Sequence, residues 1–349
     1  MRAVVLTGFG GPDRLEYRTD VPRPRPAGGE VLVRVSASAV NNTDIWTREG
    51  AYGLPGDPGA KAGWRGPIAF PRIQGGDIVG VVEAVGAGAD PASVGRRVLV
   101  DPAIYLGEAP DAPPVGLLGS EADGGFAEYA AVPARQAHDV SRSPLSDQEL
   151  ACLPVAYGTA MGMLERAALR AGERVLVTGA SGGVGLALVA LAAARGCRVV
   201  AVTSGDKVDT VRAVGAEHVL RRAGRPYSDD LAEQVRALAP DGLDAVADIA
   251  GGPGVGQLLP TLRDDGRWVI AGAIAGPVID FDLRRLYLHN LRLIGSSMYT
   301  RQHFATLVEV ARDGAVTPRI AASYDLVDLP RAQRRFLEPS HVGKIVITP

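Results

Sequence analysis

Arg174–Gly185 reads RVLVTGASGGVG, a short apolar run, a glycine-rich turn and the start of a segment rich in Ala, Leu and Val. The glycines fall at 179, 182 and 185, a GxxGxxG spacing. A tight turn between strand and helix needs flexible backbone, and a pyrophosphate needs close approach to main-chain N–H groups at a helix start. Gly185 lets the helix lie close on the strand. A glycine triplet is a weak signal alone, but here more βα units follow it. The strand-like segments are RVVAVT, HVL, DAVADIA and RWVIAG. Between them, helical patterns cover about 206–214, 230–239 and 255–262. That alternation predicts a doubly wound parallel sheet that binds a dinucleotide. Gly179, Ser181, Gly182, Gly183, Val184 and Gly185 are then the phosphate-side residues.

The same residues also spell G-A-S-G-G, a formal nucleophile elbow with Ser181 as a serine hydrolase nucleophile. Asp248 with His289, His303 or His341 would have to complete that alternative. It explains neither Gly185 nor the large β-patterned region before the sheet.

Working outward, residues 1–135 alternate short β segments with Gly and Pro: AVVLT, EVLVRVSASAV, DIVGVVEAVG and RRVLVDP. Gly53–Pro71 is too rich in both for regular structure and reads as a long loop, either a surface excursion or a lid carrying Trp64. Residues 148–169 have helical spacing interrupted near Pro154 and read as a bridge between domains. After the sheet, LRLIGSS, SYDLV and KIVITP return to the mixed β character of the beginning.

A chain of 349 residues exceeds the usual single domain, and 46% hydrophobic against 22% charged residues is an ordinary globular balance. With 37 basic and 39 acidic side chains, nucleic acid or an anionic membrane has little to attract it, and a small-molecule substrate fits better. The two cysteines, Cys152 and Cys197, offer neither a disulfide framework nor a thiolate metal site. No apolar run is long enough to span a bilayer, and MRAVVLTGFG lacks the apolar core of a signal peptide. A cytoplasmic location is expected.

The segments ASAVNNTDIWTREG (37–50), FPRIQGGDIVGVVEAVG (70–86), DGGFAEYAAVP (123–133), LPVAYGTA (153–160), VLVTGASGGVG (175–185) and VGAEHVL (214–220) together carry a resemblance. In this order they resemble the medium-chain dehydrogenase/reductase superfamily over essentially the whole chain. The resemblance implies a GroES-like catalytic domain, 1–156 and 289–349, split around a Rossmann domain, 157–288. It also implies hydride transfer with a nicotinamide cofactor.

Zinc-type members of that superfamily carry a cysteine where this chain has Asn41 and a histidine where it has Gly76. Residues 100–120, the structural zinc lobe of other members, contain no cysteine. No metal is therefore expected, because a catalytic zinc needs three protein donors. The chain is similar to the zinc-free quinone oxidoreductases and enoyl reductases, with Asn41 and Asp44 in their pattern. That likeness implies reduction of a quinone or an α,β-unsaturated carbonyl, with Tyr52, Asn41 and Asp44 as catalytic candidates and Thr159 beside the cofactor. A cofactor-binding protein without turnover is the remaining alternative.

An NAD site usually places an acidic residue at the end of the second strand. Here RVVAVT ends in Thr203, Ser204 and Gly205, and Asp206 reads as a helix N-cap. Lys207 stands where NADPH-binding members often carry a lysine, and Arg222 where they often have a tyrosine near the 2′-phosphate. NADPH is thus the expected cofactor, with Ser204, Lys207 and Arg222 as its anion cradle. LRLIGSSMY lies near the family's usual dimer edge, which implies a homodimer.

Overall fold

The computed structural model describes residues 1–54, 56–222, 229–338 and 340–349. By its contacts the chain divides into two compact units, Met1–Ala156 with Thr300–Pro349, and Tyr157–Tyr299.

The first unit is built around Glu30–Val40, an EVLVRVSASAV strand of 11 residues that is buried except at Glu30, Arg34 and Ser36. This strand pairs antiparallel with Val79–Val85, Tyr129–Pro133 and Lys344–Thr348. Ala137–Asp139, Arg97–Val100 and Ile320–Asp325 complete a seven-stranded sheet. Val31, Val33, Val35, Ile78, Val82 and Val98 form one core beneath it. Register decides what meets at its end: Ile345 lies opposite Val40, and Val79 opposite Ala37. Lys344 and Asp77 therefore arrive beside Asn41, although Lys344 lies 303 residues from it in sequence and Asp77 lies 36.

The second unit is a six-stranded parallel sheet. Its spatial order is His218–Arg222, Arg198–Ser204, Arg174–Val177, Leu243–Asp248, Leu262–Ile270, Arg292–Gly295. The winding reverses between Arg174–Val177 and Leu243–Asp248, which is where such sheets open a crevice for a ligand. Leu176, Val200, Val246, Leu258 and Trp268 fill the core on one face.

The bridging segment is interrupted at Pro154, as expected, into Asp147–Leu150, a π turn at Leu153–Tyr157 and Gly158–Arg166, because Pro154 supplies no N–H. Three expectations change. Arg292–Gly295, inside LRLIGSS, pairs parallel with Leu262–Ile270, so the second junction falls after Tyr299 and not at 288. The helix expected over 255–262 stops at Leu258 and tightens to a 3₁₀ turn at Leu259–Thr261, around Pro260. Asp206 is no N-cap: it lies inside a 3₁₀ turn, fully exposed, 3.9 Å from Arg221.

The loop over 53–71 has no helix or strand among its described residues, as its composition requires. It is fastened nonetheless. The Trp64 N–H donates to Ser120 Oγ at 2.9 Å and the Arg65 N–H to Glu121 Oε1 at 2.8 Å.

In the second unit the Arg267 guanidinium is buried, donating to Ala167 O at 2.8 Å, Ala168 O at 3.1 Å and Glu173 Oε1 at 2.7 Å. It ties the turn after Gly158–Arg166 to the sheet. Removing one partner of a buried pair typically costs about 3–5 kcal/mol, so Arg267→Met should lower the melting temperature by several degrees. An unchanged melting curve would show that the pair contributes nothing.

Candidate functional site

In the second unit Arg174–Val177 feeds the glycine turn and then the helix Gly183–Ala194. A Cβ at Gly185 would fall 2.2 Å from Gly179 O, so only glycine allows this helix to approach the turn. The first intrahelical bond runs from Leu186 N to Gly182 O, which leaves the N–H groups of Gly183, Val184 and Gly185 without helical acceptors. A Cβ at Gly182 would meet only Gly179 O at 3.6 Å, leaving its surroundings open to a ligand. These donors and the helix dipole suit a pyrophosphate. The residues present therefore fit a dinucleotide.

Ser204 ends its strand directly opposite Arg222 in the parallel register, and Lys207 closes the following 3₁₀ turn. Thus Ser204 and Arg222 are brought together, half-buried, with Lys207 three residues along the chain. Burial lowers the pKa of Lys207 from its usual lysine value. Thr159 is half-buried near the start of its helix in the same unit.

Asp248 does not serve Ser181. Its carboxylate accepts from Thr178 Oγ1 at 2.5 Å, from the N–H groups of Ala250 and Gly251, and from Trp268 Nε1 at 3.2 Å. His289 is engaged with Asp264 at 2.8 Å, and His303 caps its own helix at Thr300. The His341 ring packs on Phe336. Among the described residues the hydrolase relay is not assembled. Asp248 instead ties together the strands on either side of the winding reversal.

In the first unit Asn41 precedes the helix Asn42–Glu49. Its Nδ2 donates to Asp77 Oδ2 at 2.8 Å and Ala39 O at 3.2 Å, and its Oδ1 accepts from Lys344 Nζ. Asn41 is buried with every amide atom committed, which corrects its expected role as a direct donor to substrate. Asp77 also accepts the Val155 N–H at 2.7 Å and a bond from Lys344 Nζ at 2.9 Å. Asp44 turns back to accept the Asn41 N–H at 2.7 Å, so it caps the helix and faces inward. Burial raises its pKa to about 7. The neighbouring Asp77 charge adds to this, while the Asn41 and Gly75 N–H groups and Lys344 oppose it.

Tyr52 behaves differently. It is half-buried, its ring lies 5.3 Å from that of Trp46, and its phenol donates to Thr43 Oγ1 at 2.9 Å. Burial is the main cause of a pKa pushed up to about 12, so the phenol stays protonated at neutral pH. Sequence reasoning missed Thr43, Asp77 and Lys344. The first could have been read from its position at the start of the helix that Tyr52 folds back on; the others required the strand register. A Cβ at Gly76 would lie 3.0 Å from Val155 Cγ2 and 3.3 Å from Leu118 O, so a side chain here needs its neighbours to give way. No group of three or more His, Cys, Asp or Glu placed to hold a metal occurs among the described residues.

Residues 27–142 match the family "Alcohol dehydrogenase GroES-like domain" and residues 183–313 match "Zinc-binding dehydrogenase". The quinone oxidoreductase of Mus musculus is 30% identical, the alignment covering 99% of this chain and 97% of that protein. The chain belongs to the medium-chain dehydrogenase/reductase superfamily, in its quinone oxidoreductase-like branch. Within this superfamily, the acryloyl-coenzyme A reductase of Metallosphaera sedula is 29% identical over the whole of both chains. A solved chain from Sinorhizobium meliloti 1021 is 47% identical, with a TM-score of 0.93 over 100% of this chain and 96% of its own. A 2-octenoyl-CoA carboxylase reductase solved with NADP and 2-octenoyl-CoA is 27% identical, with a TM-score of 0.85 over 99% and 87%. The superfamily makes this chain an oxidoreductase, and its relatives use a nicotinamide cofactor and small-molecule substrates.

Two measurements check the site. Gly185→Ala pushes a methyl group into Gly179 O, and binding of a nicotinamide dinucleotide should weaken by about tenfold or more. Cofactor fluorescence titration reads this directly, and unchanged affinity would contradict the close-approach role. Asp44, with its native pKa raised, binds its proton more tightly folded than unfolded. Its contribution to stability is full at acid pH and is lost as pH rises from the ordinary 3.8 toward about 7. Asp44→Asn should therefore lose less stability than the unmodified protein between those pH values. Parallel denaturation profiles for the two proteins would refute this.

Proposed function

We propose that the protein is an NADPH-dependent, zinc-independent reductase of quinones or α,β-unsaturated carbonyl compounds. The observation that carries the reading is the buried cluster at Asn41. By resemblance, zinc-type relatives place a cysteine and a histidine at positions 41 and 76. Here position 41 is an amide bound to a lysine and an aspartate, and position 76 is a glycine with little room. Polarising the acceptor then falls to hydroxyl groups, and the Tyr52–Thr43 pair supplies them.

NADPH held by the second unit would supply the hydride, and reduction of an enone would build negative charge on its carbonyl oxygen. The Tyr52 phenol can donate a hydrogen bond to that oxygen or a proton to the α-carbon. When the single phenol hydrogen turns from Thr43 to the substrate, the Thr43 hydroxyl can donate to the Tyr52 oxygen in its place and return a proton to it. Ser204, Lys207 and Arg222 would hold the 2′-phosphate, and the N–H groups after Gly182 the pyrophosphate.

A homodimer is part of the same reading. The edge strand Arg292–Gly295 bears Leu293, and Ile274, Val278, Leu283, Tyr287 and Leu288 are exposed on the same unit. Apolar side chains near an uncovered strand edge suit a second copy of the chain. Both cysteines are free and buried, which suits the reducing cytoplasm. No helix among the described residues is long and apolar enough to cross a membrane.

The deciding experiment follows NADPH consumption with a panel of quinones, enones and enoyl thioesters, with and without chelator. Turnover that persists in chelator is expected; none with any acceptor would leave a cofactor-binding protein without turnover. Tyr52→Phe should keep cofactor affinity and lower kcat on an enone by about 10²-fold. An unchanged rate would assign Tyr52 to packing. Lys207→Ala should cost NADPH binding about 1.5–3 kcal/mol and NADH binding far less, and equal losses would overturn the cofactor preference.

A further inference from the structure

We propose that Lys344 is a positioning residue of the candidate site, a tethered cation that fixes Asn41 and, through it, the helix bearing Thr43 and the Tyr52 contact. This rests on the reading of Tyr52 and Thr43 given above.

Lys344 opens the last strand of the chain. Its side chain is 3% exposed and that of Asp77 is wholly buried. Three oxygens converge on the ammonium: Val40 O at 3.0 Å, Asp77 Oδ2 at 2.9 Å and Asn41 Oδ1. An ammonium has three hydrogens, so these acceptors saturate it and none is left for a substrate. Lys344 consequently acts through the residues it holds.

Lysine is almost never fully buried unless paired, and a well-packed hydrocarbon in place of a buried ion pair is often neutral or stabilising. Fastening the last strand does not require a charge. Orienting an amide does. With Oδ1 drawn to Lys344, Nδ2 must face Asp77 and Ala39, and the rotamer of Asn41 is set. The Asn41 N–H is in turn gripped by Asp44, the third residue of the helix, and the Asp44 carbonyl accepts from Gln74 Nε2 at 2.9 Å. The start of Asn42–Glu49 is thus pinned through Asn41 to the end of the central sheet and through Gln74 to the segment that follows Arg72–Ile73. Thr43, second in that helix, receives the Tyr52 phenol. A displacement of about 1 Å at a reacting group can cost about 10²-fold in rate.

The test uses Lys344→Met, Lys344→Ala and the neutral pair Lys344→Met with Asp77→Asn. Lys344→Met should lower kcat on an enone by about 10²-fold while the NADPH dissociation constant, read by cofactor fluorescence, stays within about twofold. In Lys344→Ala, n-propylammonium chloride should raise both the melting temperature and the rate, with sodium chloride at equal ionic strength doing neither. The neutral pair separates positioning from folding: it should regain the melting temperature lost in Lys344→Met without regaining the rate. A folded Lys344→Met or neutral pair with the unmodified rate would overturn the proposal. So would a Lys344→Ala protein whose melting temperature ignores the amine, a readout that stands even if no acceptor is reduced. If the unmodified protein reduces an enone and Tyr52→Phe is as fast, the Tyr52 reading fails, and a slow Lys344→Met then places the effect on Asn41 and the helix start alone.

Discussion

A lysine ammonium and an aspartate carboxylate withdrawn from water need every one of their hydrogen bonds, and here the ends of three strands supply them. Lys344 opens the last strand, Asp77 precedes the strand Val79–Val85, and Asn41 follows Glu30–Val40. Leaving either charge unpaired in this place would cost several kcal/mol. The cluster therefore joins the ends of these three strands at one point. It also draws Asn41 and Asp44 inward, which leaves Tyr52 and Thr43 as the hydroxyl groups available at this end of the unit.

The second unit solves an analogous problem with an uncharged partner set. Asp248 lies at the end of Leu243–Asp248, beside the winding reversal, and is completely buried. A hydroxyl, two backbone N–H groups and an indole N–H satisfy its carboxylate, so the turn after Arg174–Val177 is tied to the neighbouring strand. Gly185 then brings the helix within reach of that turn. Close packing of helix on strand follows from the missing Cβ of Gly185, and the open row of N–H donors from a helix start that has no acceptors of its own.

Placement also sorts the acidic residues by role. Asp206, whose position suggested a cap, is in water near Arg221, whereas Asp44 caps its helix from the interior. A carboxylate near a helix start is legible in sequence. Whether it faces solvent or a second carboxylate depends on what packs over it, and only Asp44 has its pKa carried far upward by burial and by Asp77.

The sequence by itself determined the parallel sheet, the glycine turn and the β-rich partner unit, because each is a local pattern: periods of two and of about 3.6, and glycine where a Cβ would collide. It also placed the loop over 53–71, since dense Gly and Pro exclude regular structure. It misplaced the second junction, because LRLIGSS is equally suited to an antiparallel or a parallel edge, and pairing with Leu262–Ile270 is what decides. The commitment of Asn41, the burial of Asp44 and the whole role of Lys344 were decided by tertiary structure alone. Lys344 and Asn41 are 303 residues apart, and nothing short of the antiparallel register of Ile345 on Val40 brings an ammonium to an amide at that distance along the chain.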